Sequence, residues 1–149
     1  MYHGFSDGIY WNKHPSLKAI DKSGNCIPEP QGPGLPDGIA DSLIICQWND
    51  IDSLYKIIKE NASDIAAIIT EPIMCNTGCI LPKPGYLEAL RKLTEKYGIL
   101  LIFDEVITGF RIGIDGAQGY YNIVPDLSVF AKGLGGGYPV AALGGKKEI

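Results

Sequence analysis

Lys132 lies in the stretch Pro125-Asp126-Leu127-Ser128-Val129-Phe130-Ala131-Lys132-Gly133-Leu134-Gly135-Gly136-Gly137-Tyr138-Pro139, directly after an apolar run and before a cluster of glycines. Lysine is almost never fully buried unless paired, and glycines let backbone approach a ligand closely. An amine placed there can form a Schiff base with an aldehyde, provided desolvation favours its neutral form. It can equally be a lysine that snorkels out of a glycine-rich turn. Asp104 follows the apolar run Leu100-Leu101-Ile102-Phe103 and precedes Glu105-Val106. A pyridine cofactor acts as an electron sink only while its ring nitrogen is protonated, and a neighbouring carboxylate maintains that state. An opposite charge at close range typically moves a pKa by about 1–3 units, or about 1.4–4 kcal/mol, enough to keep a pyridinium near neutral pH. An acid at one strand end and a lysine at another therefore match the two reactive positions of such a cofactor.

The same Asp-Glu pair after four apolar residues also describes the metal-holding strand of a nucleotide hydrolase. That chemistry needs a phosphate loop of the type G-x-x-x-x-G-K-[ST]. The nearest candidate, Gly144-Gly145-Lys146-Lys147, has Val140 where the first glycine belongs and no Ser or Thr after the lysine. Of the four cysteines, only Cys75 and Cys79 are close in sequence, and His3 and His14 lie far from them. With no second pair of ligands, reduced thiols are expected rather than a metal site.

Strand and helix alternate around these residues. Short apolar runs at Leu43–Cys46, Ile65–Thr70, Ile99–Phe103, Leu127–Phe130 and Val140–Leu143 read as strands. The continuous run at 99–103 suits a strand covered on both faces. Asn49 or Asp50 can cap a helix presenting Ile51, Leu54, Tyr55 and Ile58. Pro84 suits the first turn of a second helix, with Tyr86, Leu90, Leu93 and Tyr97 as its stripe and Gly98 as its stop. Such alternation predicts an α/β fold, a mostly parallel sheet with helices on both faces. The link from Phe130 to Val140 is too short for a parallel crossover, so the last strand should run antiparallel. Glu71, Asp104 and Lys132 each follow a predicted strand, where open parallel sheets bind ligands. Residues 1–41, interrupted by Pro28, Pro30, Pro33 and Pro36, read as a loop-rich segment beside that site, with 42–149 as the sheet domain.

The whole composition agrees with a globular protein: 149 residues, 46% hydrophobic and 20% charged, with a net charge of -4. That mild acidity and the lack of a basic run argue against nucleic acid as a partner. No apolar run approaches the length of a membrane span, so a cytoplasmic protein is expected.

The ordered set of motifs resembles one family. Glu71-Pro72, Asn76, Phe103-Asp104-Glu105-Val106, Thr108-Gly109-Phe110-Arg111, Gly116-Ala117-Gln118, Pro125-Asp126-Leu127 and Lys132 before Gly135-Gly136-Gly137 follow the pattern of class III aminotransferases. Within that class the chain is most similar to the glutamate-1-semialdehyde aminomutases and their relatives. The resemblance implies pyridoxal 5'-phosphate as cofactor and the large domain of fold type I. It implies Lys132 for the Schiff base and for proton transfer, and Asp104 on the ring nitrogen. It places Val106 on one ring face and Tyr2 on the other, with His3 beside it in the cofactor-binding motif Tyr2-His3-Gly4, and Glu71 and Asn76 toward the cofactor's hydroxyl side. Each has a plainer reading as well: Glu71 as a brace of the strand end, Asn76 as a turn former, Val106 as core and His3 as a surface residue. Arg111 is given no catalytic role.

The resemblance further implies a small amino acid or amino-aldehyde substrate and a homodimer in the full-length form. Members of the family are longer, so the chain is expected to be a fragment lacking the upstream phosphate loop, a downstream phosphate contact from the partner subunit and the C-terminal small domain. A non-catalytic remnant, needing missing segments or a partner chain to bind the cofactor, is the alternative expectation. Transaminase and aminomutase chemistry are not separated by these residues.

Overall fold

The computed structural model describes residues 1–149, which form two compact units, Met1–Trp48 and Asn49–Ile149. The first unit contains no sheet. Its chain is held by short 3-10 turns at Leu17–Ala19 and Ile39–Ser42 and by isolated bridges at Trp11↔Pro30 and Ile20↔Cys26. Trp11 and Ala19 are its buried apolar residues, and the Asn12 side chain bonds the backbone of Ile27 and Glu29. Leu43–Cys46, expected as a strand, is not one. The segment pairs with no other strand, and an apolar run without a ladder partner remains irregular.

The second unit is an α/β sheet built from β1 (Ala67–Thr70), β2 (Leu100–Asp104), β3 (Leu127–Phe130) and β4 (Ala142–Gly145), in that spatial order. β1, β2 and β3 are parallel, and β4 is antiparallel to β3, as the short connection required. β4 begins two residues later than the apolar run suggested. Tyr138–Val140 is taken up by a turn, in which the Val140 N–H donates to the Tyr138 carbonyl, and pairing starts at Ala142 opposite Phe130.

Helix α1 (Ile51–Asn61) starts at Asp50, whose carboxylate accepts from the Ser53 N–H at 2.9 Å. It buries Leu54 and Ile58, while Ile51 and Tyr55 stay exposed. Helix α2 (Tyr86–Tyr97) starts one residue after Gly85, so Pro84 lies in the preceding turn rather than in the helix. Gly98 stops α2 in the left-handed region at φ 69°, as expected. Tyr86, Leu87, Leu90 and Leu93 are buried, and Leu101 and Phe103 of β2 are wholly enclosed. Leu100 and Ile102, on the other side of β2, are only partly covered within these residues. A third helix, α3 (Gly116–Tyr121), lies in the crossover from β2 to β3, where the sequence shows no apolar period. Its Gln118 amide donates to the Ser128 hydroxyl at 3.2 Å, and Ser128 pairs with Phe103, so α3 serves the same face as those enclosed residues.

Two buried acids fasten this unit. Asp126 accepts from the Leu101 N–H at 2.7 Å and from Arg91 at 3.0 Å, and pairs with Lys146. Burial alone would raise its pKa, but the Leu101 N–H, Lys146 and Arg91 outweigh that and hold it at about 2. Glu105 is fully buried and takes three hydrogen bonds, from the Thr108 hydroxyl at 2.8 Å, the Ala117 N–H at 2.6 Å and the Gln118 N–H at 2.9 Å.

Candidate cofactor site

The parallel strands end together. Thr70 pairs with Phe103 and Asp104 pairs with Val129, so Glu71, Asp104 and Val129 stand at one level across β1, β2 and β3. Lys132 is three residues beyond Val129 along the same edge. The sheet thus brings Glu71, Asp104 and Lys132 to the carboxyl ends of three neighbouring strands, where such sheets bind ligands.

Asp104 is buried, at 9% exposure, and its Oδ1 accepts from the Val106 N–H at 3.0 Å. That bond fixes the carboxylate and turns the chain so that Val106 follows immediately, half-buried. Glu71 is 2% exposed. Its Oε2 accepts from the Cys75 N–H at 3.0 Å and the Asn76 N–H at 3.4 Å, which caps the short turn Cys75–Thr77. Its Oε1 is buried with no hydrogen-bond partner. A buried acceptor left unsatisfied costs about 1–3 kcal/mol, so this oxygen is available to a donor. Asn76 is exposed and enters the Glu71 contact through its backbone.

Lys132 is exposed, without the burial that would favour a neutral amine and as a lysine leaving a glycine-rich turn would be, and it opens a 3-10 turn, Lys132–Gly135, with φ at 40°. A non-glycine residue in that region carries a conformational cost of about 1–3 kcal/mol, and such outliers cluster at functional positions. Tyr2 and His3 belong to the first unit. Tyr2 meets Phe5 edge-on at 5.3 Å between centroids, and the Lys13 ammonium lies 4.8 Å from the Tyr2 ring.

The family model for class-III aminotransferases matches residues 36–149. The chain belongs to that family. Among the relatives of this class-III aminotransferase chain, the glutamate-1-semialdehyde 2,1-aminomutase of Desulfitobacterium hafniense is 54% identical over 147 residues, covering 99% of the chain and 33% of the relative. An omega-transaminase from Sphaerobacter thermophilus superimposes with a TM-score of 0.91 at 34% identity, covering 99% of the chain and 33% of that structure. A glutamate-1-semialdehyde-aminomutase from Pseudomonas aeruginosa in complex with PMP gives a TM-score of 0.79 at 29% identity, with 99% and 30% covered. The chain therefore spans about a third of the length of the curated relatives it matches. The fold expected from the motif set, part of a fold-type-I large domain, is the fold it shares with them.

Glu105 and Asp126 carry a weight that the motif set does not assign them. The signal was present, since a second acid directly after Asp104 cannot point the same way along an extended chain. Glu105 turns inward and holds the start of α3, which leaves Asp104 at the strand end.

Proposed function

We propose that this chain supplies the lysine, the ring-nitrogen acid and the strand-end floor of a pyridoxal-phosphate-dependent aminotransferase or aminomutase. The observation that carries the reading is the common level of Glu71 and Asp104 at adjacent strand ends, with Lys132 just beyond on the third strand. The donor set fits the cofactor. Asp104 is a fixed carboxylate for the pyridine nitrogen, Lys132 is an exposed amine for the aldehyde carbon, and Glu71 Oε1 is an orphaned buried acceptor for the ring hydroxyl. Val106, positioned by its own hydrogen bond to Asp104, would pack against the ring, and Asn76 would lie toward the hydroxyl side through the turn that Glu71 caps.

Pyridoxal phosphate supplies an electron sink for the charge left on the substrate carbon when it loses a proton. Asp104 would hold the pyridine nitrogen and favour its protonated form. Lys132 Nζ takes the proton from the substrate carbon that bears the amino group and returns a proton along the same edge of the site. The left-handed backbone at Lys132 fixes where that amine starts, and the glycines after it leave room for substrate to approach. The substrate class is a small amino acid or an amino-aldehyde.

The test is the visible absorption of the purified chain mixed with pyridoxal phosphate, beside Lys132→Ala. A band that survives dialysis in the parent and is lost in the variant supports the reading. Borohydride reduction followed by peptide mapping should place the label on Lys132. Label spread evenly over surface lysines would sink it. Assays of the loaded protein with glutamate-1-semialdehyde and with a panel of oxoacids would then separate aminomutase from transaminase.

A further inference from the structure

Cys75 and Cys79 flank the three residues Asn76-Thr77-Gly78. One position further out, Met74 and Ile80 form an isolated antiparallel bridge, exchanging hydrogen bonds of 3.0 and 3.3 Å. Residues that exchange both bonds stand about 5.5 Å apart at Cα, so the five residues between them close a short loop that begins with the 3-10 turn Cys75–Thr77 and has a cysteine at each foot. Disulfides span Cα separations of about 4.4–6.8 Å. Gly78 and Cys79 both have positive φ, 106° and 56°, so the chain reverses tightly between the two cysteines. Cys79 lies close enough to Cys75 to raise its thiol, and both cysteines are free.

The two sulfurs are not equivalent. Cys79 is exposed and Cys75 is half-buried. Burial first, then Cys79 and the charge of Glu71, push the Cys75 thiol up to about 11. Cys79 is therefore the thiol that meets a reagent from solvent, and Cys75 lies against it as the resolving thiol.

We propose that Cys75 and Cys79 form a redox modification site, an intramolecular dithiol that a small-molecule disulfide converts into a Cys75–Cys79 disulfide. The Cys79 thiolate attacks one sulfur of the reagent, forming a mixed disulfide and releasing the first thiolate. Cys75 gives up its proton to solvent and attacks the Cys79 sulfur, and the second reagent thiolate leaves. Two protein thiols are oxidised and one reagent disulfide is reduced to two thiols. A bond closing so short a loop belongs to the strained, readily reduced class of disulfides, which are the labile ones. The loop it closes is the one whose Cys75 and Asn76 N–H groups hold the Glu71 carboxylate. On the reading of Glu71 as part of the cofactor floor, closing the bond acts on that floor.

The experiment uses oxidised glutathione on a Cys26→Ser/Cys46→Ser chain, in which Cys75 and Cys79 are the remaining thiols, with acid quenching, alkylation and intact mass. The expected product has lost the mass of two hydrogens, carries no glutathione, resists alkylation at both positions, and returns to two free thiols with dithiothreitol. Cys75→Ser should instead accumulate glutathione on Cys79. Peptide mapping of the unsubstituted chain reads the same linkage should the double variant fold poorly. A mixed disulfide persisting on Cys79 in the parent, a bond between two molecules, or two thiols still open to alkylation would overturn the proposal. These readouts are independent of cofactor, so they stand or fall separately from the assignment of Lys132.

Discussion

Glu105 is a carboxylate enclosed in the protein that accepts three hydrogen bonds, and Gly116 stands against it. Replacing Glu105 by Gln keeps one carbonyl oxygen, which can serve Thr108 and Ala117, but sets an amide N–H₂ against the Gln118 N–H. Two donor groups, the Gln118 N–H and the new amide, are then left unpaired, at a cost of about 1–3 kcal/mol each. Glu105→Ala orphans all three donors, at about 1–3 kcal/mol for each one that stays buried and unpaired. Gly116→Ala acts on the same contact from the other side. Gly116 has φ at 64°, where a Cβ costs about 1–2 kcal/mol, and that Cβ would also run into the Glu105 carboxylate. The carboxylate must then shift and loosen its bonds to Ala117 and Gln118. In a Glu105→Ala background the collision is gone and only the backbone cost remains. The two substitutions should therefore be less than additive by at least about 1 kcal/mol. Urea denaturation of the parent, both single variants and the double variant measures this directly. Additivity within about 0.5 kcal/mol would show that Gly116 is needed for its backbone alone.

Asp126 should make the chain sensitive to acid. Its folded pKa of about 2 lies below the ordinary 3.8, so its contribution is fully present above pH 4 and is lost as pH falls toward 2. That contribution is on the order of 2 kcal/mol, and Asp126→Asn should flatten this limb of a stability–pH profile. A variant with the parent's acid limb would refute the assignment. Asp50→Ala removes the cap of α1 and should lower stability by about 1 kcal/mol in the same urea assay, with Asp50→Ser restoring most of it.

The sheet was readable because buried strands need apolar residues. Leu127–Phe130 stands where its side chains predicted, and the antiparallel β4 followed from the length of its connection. Leu43–Cys46 misled because apolar character marks a segment's desire for burial and says nothing of whether a ladder partner exists. Of the α1 stripe, only Leu54 and Ile58 are enclosed, since Tyr55 tolerates water at its hydroxyl end. Helix α3 was hidden by its composition, with glycines at 116 and 119 in place of an apolar period, and it is held instead by the Glu105 carboxylate. At the candidate site, residue types and their order pointed to Asp104 and Lys132. The orphaned oxygen of Glu71 and the left-handed backbone of Lys132 are properties of packing and torsion that no residue type announces.

Asp126 lies just ahead of β3 and bonds the Leu101 N–H near the start of β2, Arg91 from α2 and Lys146 just past β4. It gathers four elements at the end of the sheet opposite Glu71, Asp104 and Lys132. That end is thus cross-braced like the root of a cantilever, and Glu71, Asp104 and Lys132 stand at the other end. A cantilever's tip can be reshaped without loosening its root. Side chains at the carboxyl ends of these strands can be exchanged, and the turns beyond them rebuilt, while the clamp that sets strand register stays untouched.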